Sequence, residues 1–326
     1  MGTDVLSEIL VKIRKHIIAL GAEVSDEDKM TDITSAEGRI KSVITSLREI
    51  PCENMILAAG HGARDVYELL AKKSIPLEAK GFALGVRIEH PREMIDKAVY
   101  GKYAGHQRLG AASYNLRGKF GGRSVFSFCM CPGGEVINSS TETESLCVNG
   151  MSYNARDGAN SNAAVVVQIN PNDWGKSTLG GIELQRKLEK QSYILAGSDF
   201  SAPVQRFEDF KQGIGSKSFG SVYPSIKGKT AMADLNKILG DEISSDIKQA
   251  VEYWNKIIPG YSMGDAVLTG TESRTSSPVR VLREKNMQSS EIGGLYPCGE
   301  GAGYAGGIMS AAIDGIKCAL QILDNN

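Results

Sequence analysis

The sequence predicts an α/β protein with a mostly β (α+β) domain inserted into it, and three observations lead to this fold class. The apolar run of residues 54–59 is followed by a glycine turn and a helical pattern. The run Leu295–Cys298 is likewise followed by a glycine-rich loop and a helical pattern with Ile308, Ala312, Ile316 and Leu320 on one face. Between residues 80 and 268, strand-like runs alternate with polar, glycine-containing loops, which is typical of a domain built mostly from strands.

The N-terminal part predicts a helix followed by short strands. Residues 3–20 place apolar side chains on one helical face, with Thr3 or Asp4 as the N-cap and Gly21 as the stop. The further elements expected in this part are strands at residues 22–25, 30–35, 39–47 and 54–59, the last buried on both faces, and a helix over 64–72.

The pattern changes near residue 80 and changes back near residue 269. We therefore expect residues 1–79 and 269–326 to form one discontinuous domain around an inserted domain of residues 80–268. Helices within the insert are expected at residues 181–195, 203–210 and 241–258, the last because Ile243, Ile247, Val251 and Trp254 recur at helical spacing.

The composition is that of an ordinary globular protein of 326 residues, with 41% hydrophobic residues, 23% charged residues and a net charge of −1. This charge balance gives no indication of a nucleic-acid or membrane partner, and we expect a cytoplasmic location. The six cysteines lack the paired CxxC spacing of a structural zinc site, so no metal is expected.

The C-terminal glycine cluster is the strongest candidate binding site. Its glycines would let a ligand approach the backbone, and the N-terminus of the following helix attracts anions. Glu300 could accept hydrogen bonds from sugar-like hydroxyls. Tight packing between the helix and the strand explains such a cluster equally well. The residues of the predicted binding segment are Gly299, Glu300, Gly301, Gly303, Gly306, Gly307 and Ile308.

The string GEGAGYAGGIMSAAIDGIKCA resembles the C-terminal FAD-binding segment of glutathione-reductase-type flavoproteins, above all a bacterial family of FAD-dependent or NAD-utilising dehydrogenases. The resemblance implies that Glu300 binds the ribityl chain and that the helix N-terminus lies by the flavin pyrimidine ring. Many relatives carry Asp at this position. The turn at Gly60 and His61 is placed near the cofactor by the same resemblance, although a histidine between two glycines is more often a turn residue.

Two polar or thiol-bearing stretches supply candidate catalytic and substrate-binding residues. Cys129 and Cys131 could form a redox pair, or they could share one packed strand face as small hydrophobic side chains. Their string SFCMCPGGEV resembles a stretch of the same dehydrogenase family. Arg274 could bind an anionic group, or the run around it could be a polar surface turn that ends at Pro278; the same family carries a similar string there. The accompanying candidates for substrate binding are Thr275, Ser276, Ser277 and Arg280.

A third polar cluster, Arg87, Glu89 and His90 in GVRIEHP, is interpreted as the solvated face of a strand.

The sequence lacks the N-terminal GxGxxG unit, in which that motif stands between the first strand and a helix and binds the pyrophosphate of a dinucleotide. By resemblance it therefore corresponds to an incomplete FAD-binding domain of the glutathione-reductase type, from a truncated or naturally split protein. We expect weak or absent FAD binding, because the pyrophosphate lacks its main helix N-terminus.

Two functional hypotheses follow. The first is the C-terminal portion of an FAD-dependent oxidoreductase that acts on a small molecule, with NADH or NADPH as a possible reductant. The second is a non-catalytic module that binds a ligand or a partner on a flavoprotein-derived scaffold. The sequence specifies neither the substrate nor the oligomeric state.

Overall fold

The computed structural model describes residues 2–324. These residues contain eight α-helices: α1 (Thr3–Ala19), α2 (Arg64–Lys72), α3 (Arg92–Tyr100), α4 (Gly180–Leu195), α5 (Phe207–Gln212), α6 (Asn236–Leu239), α7 (Asp241–Trp254) and α8 (Ile308–Asp324). Short 3-10 helices span Gly101–Tyr103 and Pro171–Trp174. In this part of the chain, no helix combines the length and the apolar character needed to cross a bilayer.

The strands of the described residues are β1 (Met30–Ala36), β2 (Arg39–Thr45), β3 (Glu49–Pro51), β4 (Met55–Leu57), β5 (Leu77–Ala79), β6 (Phe82–Pro91), β7 (Arg117–Phe120), β8 (Arg123–Cys131), β9 (Glu135–Asn138), β10 (Val148–Met151), β11 (Asn160–Ile169), β12 (Ala202–Arg206), β13 (Thr230–Met232), β14 (Val267–Thr275), β15 (Val279–Val281) and β16 (Leu295–Pro297).

The chain divides into two compact units. Unit 1 contains the residues up to Leu20 together with Ala83–Ile169 and Gln185–Ser273. Unit 2 contains Gly21–Phe82, Asn170–Leu184 and the residues from Arg274 onward. These units differ from the predicted ranges, because α1 belongs to unit 1 and residues 170–184 belong to unit 2. The assignment of residues 1–79 and 269–326 to one domain stays a prediction.

Unit 1 is built on a seven-stranded sheet with the order β13-β12-β14-β6-β11-β8-β7. The pairs β8/β11, β7/β8 and β12/β14 are antiparallel, whereas β12 and β13 are parallel. The central strands β6 and β11 are buried along nearly their whole length. The helical spacing predicted for residues 241–258 is confirmed in α7, whose Ile247, Val251 and Trp254 are buried.

The described residues of unit 2 form three small sheets, of which two are antiparallel: the meander β1-β2-β3 and the pair β5/β15. The third sheet is the parallel pair β4/β16. Their shared core includes Ile33, Ile40, Leu57, Tyr67 and Leu295.

Several local predictions are wrong. Residues 22–25 form no strand, and residues 203–210, predicted as a helix, divide between β12 and α5 because Val204 and Gln205 pair with β14. The strand expected at 54–59 shortens to β4 and is not buried on both faces, since Ile56 is 38% exposed.

The apolar stripes predicted for the first and last helices do not face a core. No residue of α1 is buried. In α8, Ile308, Ile316 and Leu320 are each more than half exposed, and the buried residues are Asp314 and Cys318. Helical periodicity located both helices correctly but did not identify the buried face of α8, because that face carries a polar cluster.

Candidate functional site

The parallel pairing of β4 with β16 creates the candidate site in unit 2. Leu295 lies opposite Met55 and Pro297 opposite Leu57, and the Cys298 N–H donates to the Leu57 carbonyl at 3.0 Å. Parallel strands end at the same edge of a sheet, which is where open α/β sheets bind ligands. The turn after β4 and the glycine loop after β16 (residues 299–307) therefore lie together at this edge.

The glycines of the loop have two different roles. A Cβ on Gly301 would lie 2.6 Å from the Gly60 backbone, and one on Gly303 would lie 2.9 Å from the Val279 carbonyl oxygen. These two glycines are required for packing. A Cβ on Gly306 or Gly307 would meet no heavy atom within 4 Å. The packing and ligand-approach interpretations thus apply to different glycines of the same loop.

Positive φ angles add a second constraint at Gly60, Gly299 and Gly303, at +76°, +77° and +83°. Residues with a side chain rarely adopt this left-handed conformation, so the turn and the loop both depend on glycine there.

Glu300 and His61 face each other across the two turns. The His61 Nδ1 atom lies 3.6 Å from Glu300 Oε1, and the side chains are 7% and 33% exposed. The buried imidazole thus lies at the base of the site, and the carboxylate above it reaches solvent. This arrangement leaves the Glu300 carboxylate able to accept hydrogen bonds from a ligand.

Ser277, a predicted substrate-binding residue, is fully buried under the loop. Its Oγ donates to the Val279 carbonyl at 2.7 Å and lies 3.1 Å from the Tyr67 hydroxyl. Tyr67 in turn donates to the Gly301 carbonyl at 2.7 Å. Burial raises the Tyr67 pKa to about 12, so this hydroxyl stays protonated and able to donate. Ser277 therefore supports the glycine loop from below.

The remaining residues of the predicted substrate run lie along β14, β15 and the turn between them. Arg274, Thr275 and Ser276 are partly buried. Arg280 lies opposite Glu78 on β5, with 3.3 Å between Nη1 and Oε2, and its guanidinium lies 5.6 Å from the centre of the Tyr304 ring. The structure thus places Arg280 close to the glycine loop.

Lys80 is a candidate that sequence reasoning missed. It follows β5, and its backbone N–H donates to the Pro278 carbonyl at 2.8 Å. Burial lowers the Lys80 pKa, nearby Arg280 lowers it further, and Glu300 partly opposes the shift. Lys80 therefore lies close enough to both Arg280 and Glu300 to interact with their charges. Residues 78–80 pair with the segment that follows Arg274. This long-range pairing is the signal that the sequence alone did not reveal.

Arg283 and Asp314 fix the start of the glycine loop, and both were missed. The Arg283 guanidinium donates from Nη2 to Asp314 Oδ1 at 2.7 Å and from Nη1 to Oδ2 at 2.9 Å. The Gly299 N–H donates to the same Oδ2 at 2.8 Å. Burial raises the Asp314 pKa, but the bonds from Arg283 and Gly299 outweigh burial and hold it below its ordinary value.

A separate polar cluster occupies the interior of unit 1 around Arg87, which has no exposed surface. Its guanidinium donates to Asn162 Oδ1, at 3.1 Å from Nε and 2.5 Å from Nη2, and lies 3.5 Å from Glu272 Oε2. Nη2 also donates to the Cys129 carbonyl at 2.9 Å and lies 3.4 Å from Cys131 Sγ. Gly150 provides the room, since a Cβ there would collide with the guanidinium.

The prediction of a solvated face for Arg87, Glu89 and His90 is wrong, because all three are buried in a central strand. Glu89 accepts hydrogen bonds from Asn160 Nδ2 and the Ser225 N–H, both at 3.0 Å. The His90 Nε2 lies 2.6 Å from the Tyr261 carbonyl, and burial lowers the His90 pKa to about 4. His90 is therefore neutral at pH 7.

Cys129 and Cys131 do not share a packed strand face. Cys129 is exposed and Cys131 is buried. The register of β8 shifts between Ser127 and Met130, where the partner strand advances by only two residues, and this bulge breaks the alternation of faces. Burial raises the Cys131 pKa more than Arg87 lowers it, so Cys131 is a protonated thiol at neutral pH.

Residues 81–275, more than half of the chain, match the family described as FAD-dependent protein, C-terminal domain-like. The chain belongs to this family. The FAD-dependent character expected from the sequence agrees with the family description. The matched range of the FAD-dependent C-terminal domain-like family includes the Arg87 cluster and ends at Thr275, so the glycine loop lies outside it.

One similar protein is an uncharacterized protein of Clostridium beijerinckii (strain ATCC 51743 / NCIMB 8052). The two sequences are 43% identical over 327 residues, which cover 99% of this chain and 61% of that protein. The chain thus spans less than two thirds of the length of this curated relative.

The two roles of the loop glycines predict that adding a methyl group has a large effect on stability at Gly301 and a small effect at Gly306. Gly301→Ala should destabilise the protein by about 1–3 kcal/mol, because its Cβ would contact the Gly60 backbone. Gly306→Ala should change the free energy of unfolding by less than about 1 kcal/mol, because open space surrounds it. Urea unfolding followed by circular dichroism measures both. Equal destabilisation by the two variants would contradict this division.

The Arg283–Asp314 pair predicts a large stability loss on Asp314→Ala. Removing one partner of a buried ion pair costs about 3–5 kcal/mol because the other charge stays buried, and both side chains are only 10% exposed. The matched control is Glu78→Ala, which breaks the exposed Arg280–Glu78 pair and should cost less than about 1 kcal/mol.

The same pair predicts the pH dependence of that difference. Because the folded pKa of Asp314 is lowered from its ordinary 3.8, its contribution is fully present above that value and is lost as pH falls through the folded pKa. The gap in unfolding free energy between wild type and Asp314→Ala should therefore be constant from neutral pH to about pH 5 and shrink in more acidic solution. A gap that widens with acidification would refute the assignment.

Proposed function

We propose that this chain is the C-terminal portion of a glutathione-reductase-type, FAD-dependent oxidoreductase that acts on a small molecule. The observation that carries the proposal is the edge formed by Glu300, Gly306 and Gly307. It combines a partly exposed carboxylate, open backbone and a helix N-terminus. Membership of a family described as FAD-dependent supports the same conclusion.

The residues at this edge fit the ribityl and pyrimidine end of FAD. Glu300 offers carboxylate oxygens to the ribityl hydroxyls, as the resemblance of this segment implies. The open backbone at Gly306 and Gly307 admits a flat ring beside the start of α8. The crevice between Gly60 and Gly301 has an interior volume of only about 10 Å³, close to that of one water molecule, so a ring system lies on the open edge and not inside.

Bound FAD would supply the hydride chemistry of the reaction. The residues of this chain would bind and orient. The first N–H groups of α8 have no partner within the helix, and with the helix dipole they favour negative charge beside Ile308. Arg274 would hold an anionic group of the substrate, and Thr275 and Arg280 would add donors. We include NADH or NADPH as the reductant in this proposal.

Chemistry at the two cysteines would begin at Cys129, because this thiol is the exposed one. The buried, protonated Cys131 is less suited to nucleophilic attack.

We further propose that the chain alone binds FAD weakly. Parallel strands are normally covered on both faces, and the pair β4/β16 has no further strand among residues 2–324. Ile56 on β4 is 38% exposed and Ile316 on α8 is 60% exposed, so the strand and the helix that flank the site leave apolar surface uncovered. The same proposal assigns the oxidoreductase activity to a longer member of the family.

An FAD titration of the purified chain, followed by the visible flavin absorbance, tests the proposal. We expect a colourless protein that perturbs the flavin spectrum only at high protein concentration. Glu300→Ala should weaken this binding about tenfold or more, because a charged hydrogen bond contributes about 1.5–3 kcal/mol. Glu53→Ala is the matched control, since this exposed carboxylate lies at the opposite end of the same strand pair.

Two results would count against the proposal. Protein that purifies yellow with stoichiometric flavin would refute weak binding. Flavin binding that is unchanged in Glu300→Ala would refute the loop as the site and favour a non-catalytic module.

A further inference from the structure

Cys298 and Cys318 lie side by side beneath the glycine loop. Cys298 directly follows β16, and Cys318 lies one helical turn after Asp314 on α8. The two side chains are 3% and 0% exposed and form one apolar cluster with Tyr296. The two sulfur atoms and an Asp314 carboxylate oxygen all lie within 4.8 Å of one another.

This group has the composition of a metal site, but its charges argue against one. Both carboxylate oxygens of Asp314 already accept hydrogen bonds from Arg283, whose Nη1 also lies 3.8 Å from Cys318 Sγ. A metal cation would have to displace this guanidinium. Burial raises the pKa of Cys298 to about 12 and also raises that of Cys318, so both are thiols and not metal-binding thiolates at neutral pH.

We propose that Cys298 and Cys318 are a modification site: a thiol pair that forms a reversible disulfide linking the end of β16 to α8. The bond would close a ring around residues 299–317, which contain the whole glycine loop. It would thereby restrain the loop from both ends. This inference does not depend on flavin binding.

The reaction needs a two-electron acceptor, such as an azo oxidant or the disulfide of a small thiol. Two S–H bonds break, one S–S bond forms, and the acceptor takes up two electrons and two protons. Once local opening admits solvent, Cys318 loses its proton and reacts first, because Arg283 lies beside its sulfur and favours ionisation. Cys298 then attacks the resulting adduct and displaces the reduced acceptor. Since both sulfurs are buried, the rate is limited by local opening.

Peptide mapping after oxidation with the azo compound diamide tests the proposal on the full chain. Reduced protein is treated with diamide, unfolded, alkylated with iodoacetamide and digested with trypsin. Lys317 lies between the two cysteines, so trypsin separates them into different peptides. We expect one disulfide-linked pair, peptide 286–317 joined to peptide 318–326, lighter by two hydrogens than the two free thiol peptides, and dithiothreitol should release it.

Two sets of variants control the assignment. Cys318→Ser and Cys298→Ala should each abolish the linked pair and leave the remaining cysteine to be alkylated. The double variant Cys129→Ser/Cys131→Ser should form the link as the wild type does. The diamide-treated wild type should also melt about 5 °C above the reduced protein, because the crosslink restricts the unfolded chain. Neither cysteine variant should show this rise.

The proposal is wrong if peptides 286–317 and 318–326 both carry the alkyl group after diamide has consumed the exposed Cys129 thiol. It is equally wrong if either cysteine is found linked only to another residue. A linked pair without any rise in melting temperature would overturn the restraint on the loop. The peptide masses and the melting temperature are both measured on the wild type, so these outcomes do not require that a variant folds.

Discussion

The candidate site of unit 2 depends on one constraint, the parallel pairing of β4 with β16. The two strands are far apart in sequence, and each is followed by a glycine-containing turn. Their shared direction places both turns at the same edge, where Gly301 packs on the backbone of Gly60. The Tyr67 hydroxyl then donates to the carbonyl of Gly301, which lies 234 residues later in the sequence. The Glu300–His61 contact is a consequence of this pairing, because the paired strands bring together two residues that are far apart in sequence.

Two buried guanidinium groups, one in each unit, are held by hydrogen-bond partners. The guanidinium of Arg87 is surrounded by Asn162, Glu272 and the Cys129 carbonyl, and that of Arg283 by Asp314 and the Pro297 carbonyl. Desolvating an unpaired charge costs several kcal/mol, which exceeds the gain from burying one apolar side chain. Each cluster therefore restrains the backbone that it touches, at the β8 bulge in one unit and at Gly299 in the other.

The sequence was sufficient where structure is decided locally. The succession of strand, glycine loop and helix at residues 295–324 follows from an apolar run, glycines and helical spacing, and it is present as β16, the loop and α8. The failures arise from contacts distant in sequence. Alternating charges on β6 suggested a solvated face, since nothing local indicates that β14 and β11 flank this strand. Similarly, α8 buries Asp314 and exposes Ile316, because Arg283 lies against the helix face that carries Asp314.

The two cysteines of β8 show how one long-range contact can reverse a local rule. Residues two apart on a regular strand share a face, which would bury or expose Cys129 and Cys131 together. The bulge opposite Ala163–Val165 removes this equivalence, and the Arg87 guanidinium fixes the result by holding the Cys129 carbonyl and the Cys131 sulfur with one nitrogen atom. With its carbonyl held inward, Cys129 has its thiol side exposed, while Cys131 is retained in the interior. The two sulfur atoms of this CxC pair thus lie in different environments, one at the surface and one in the interior.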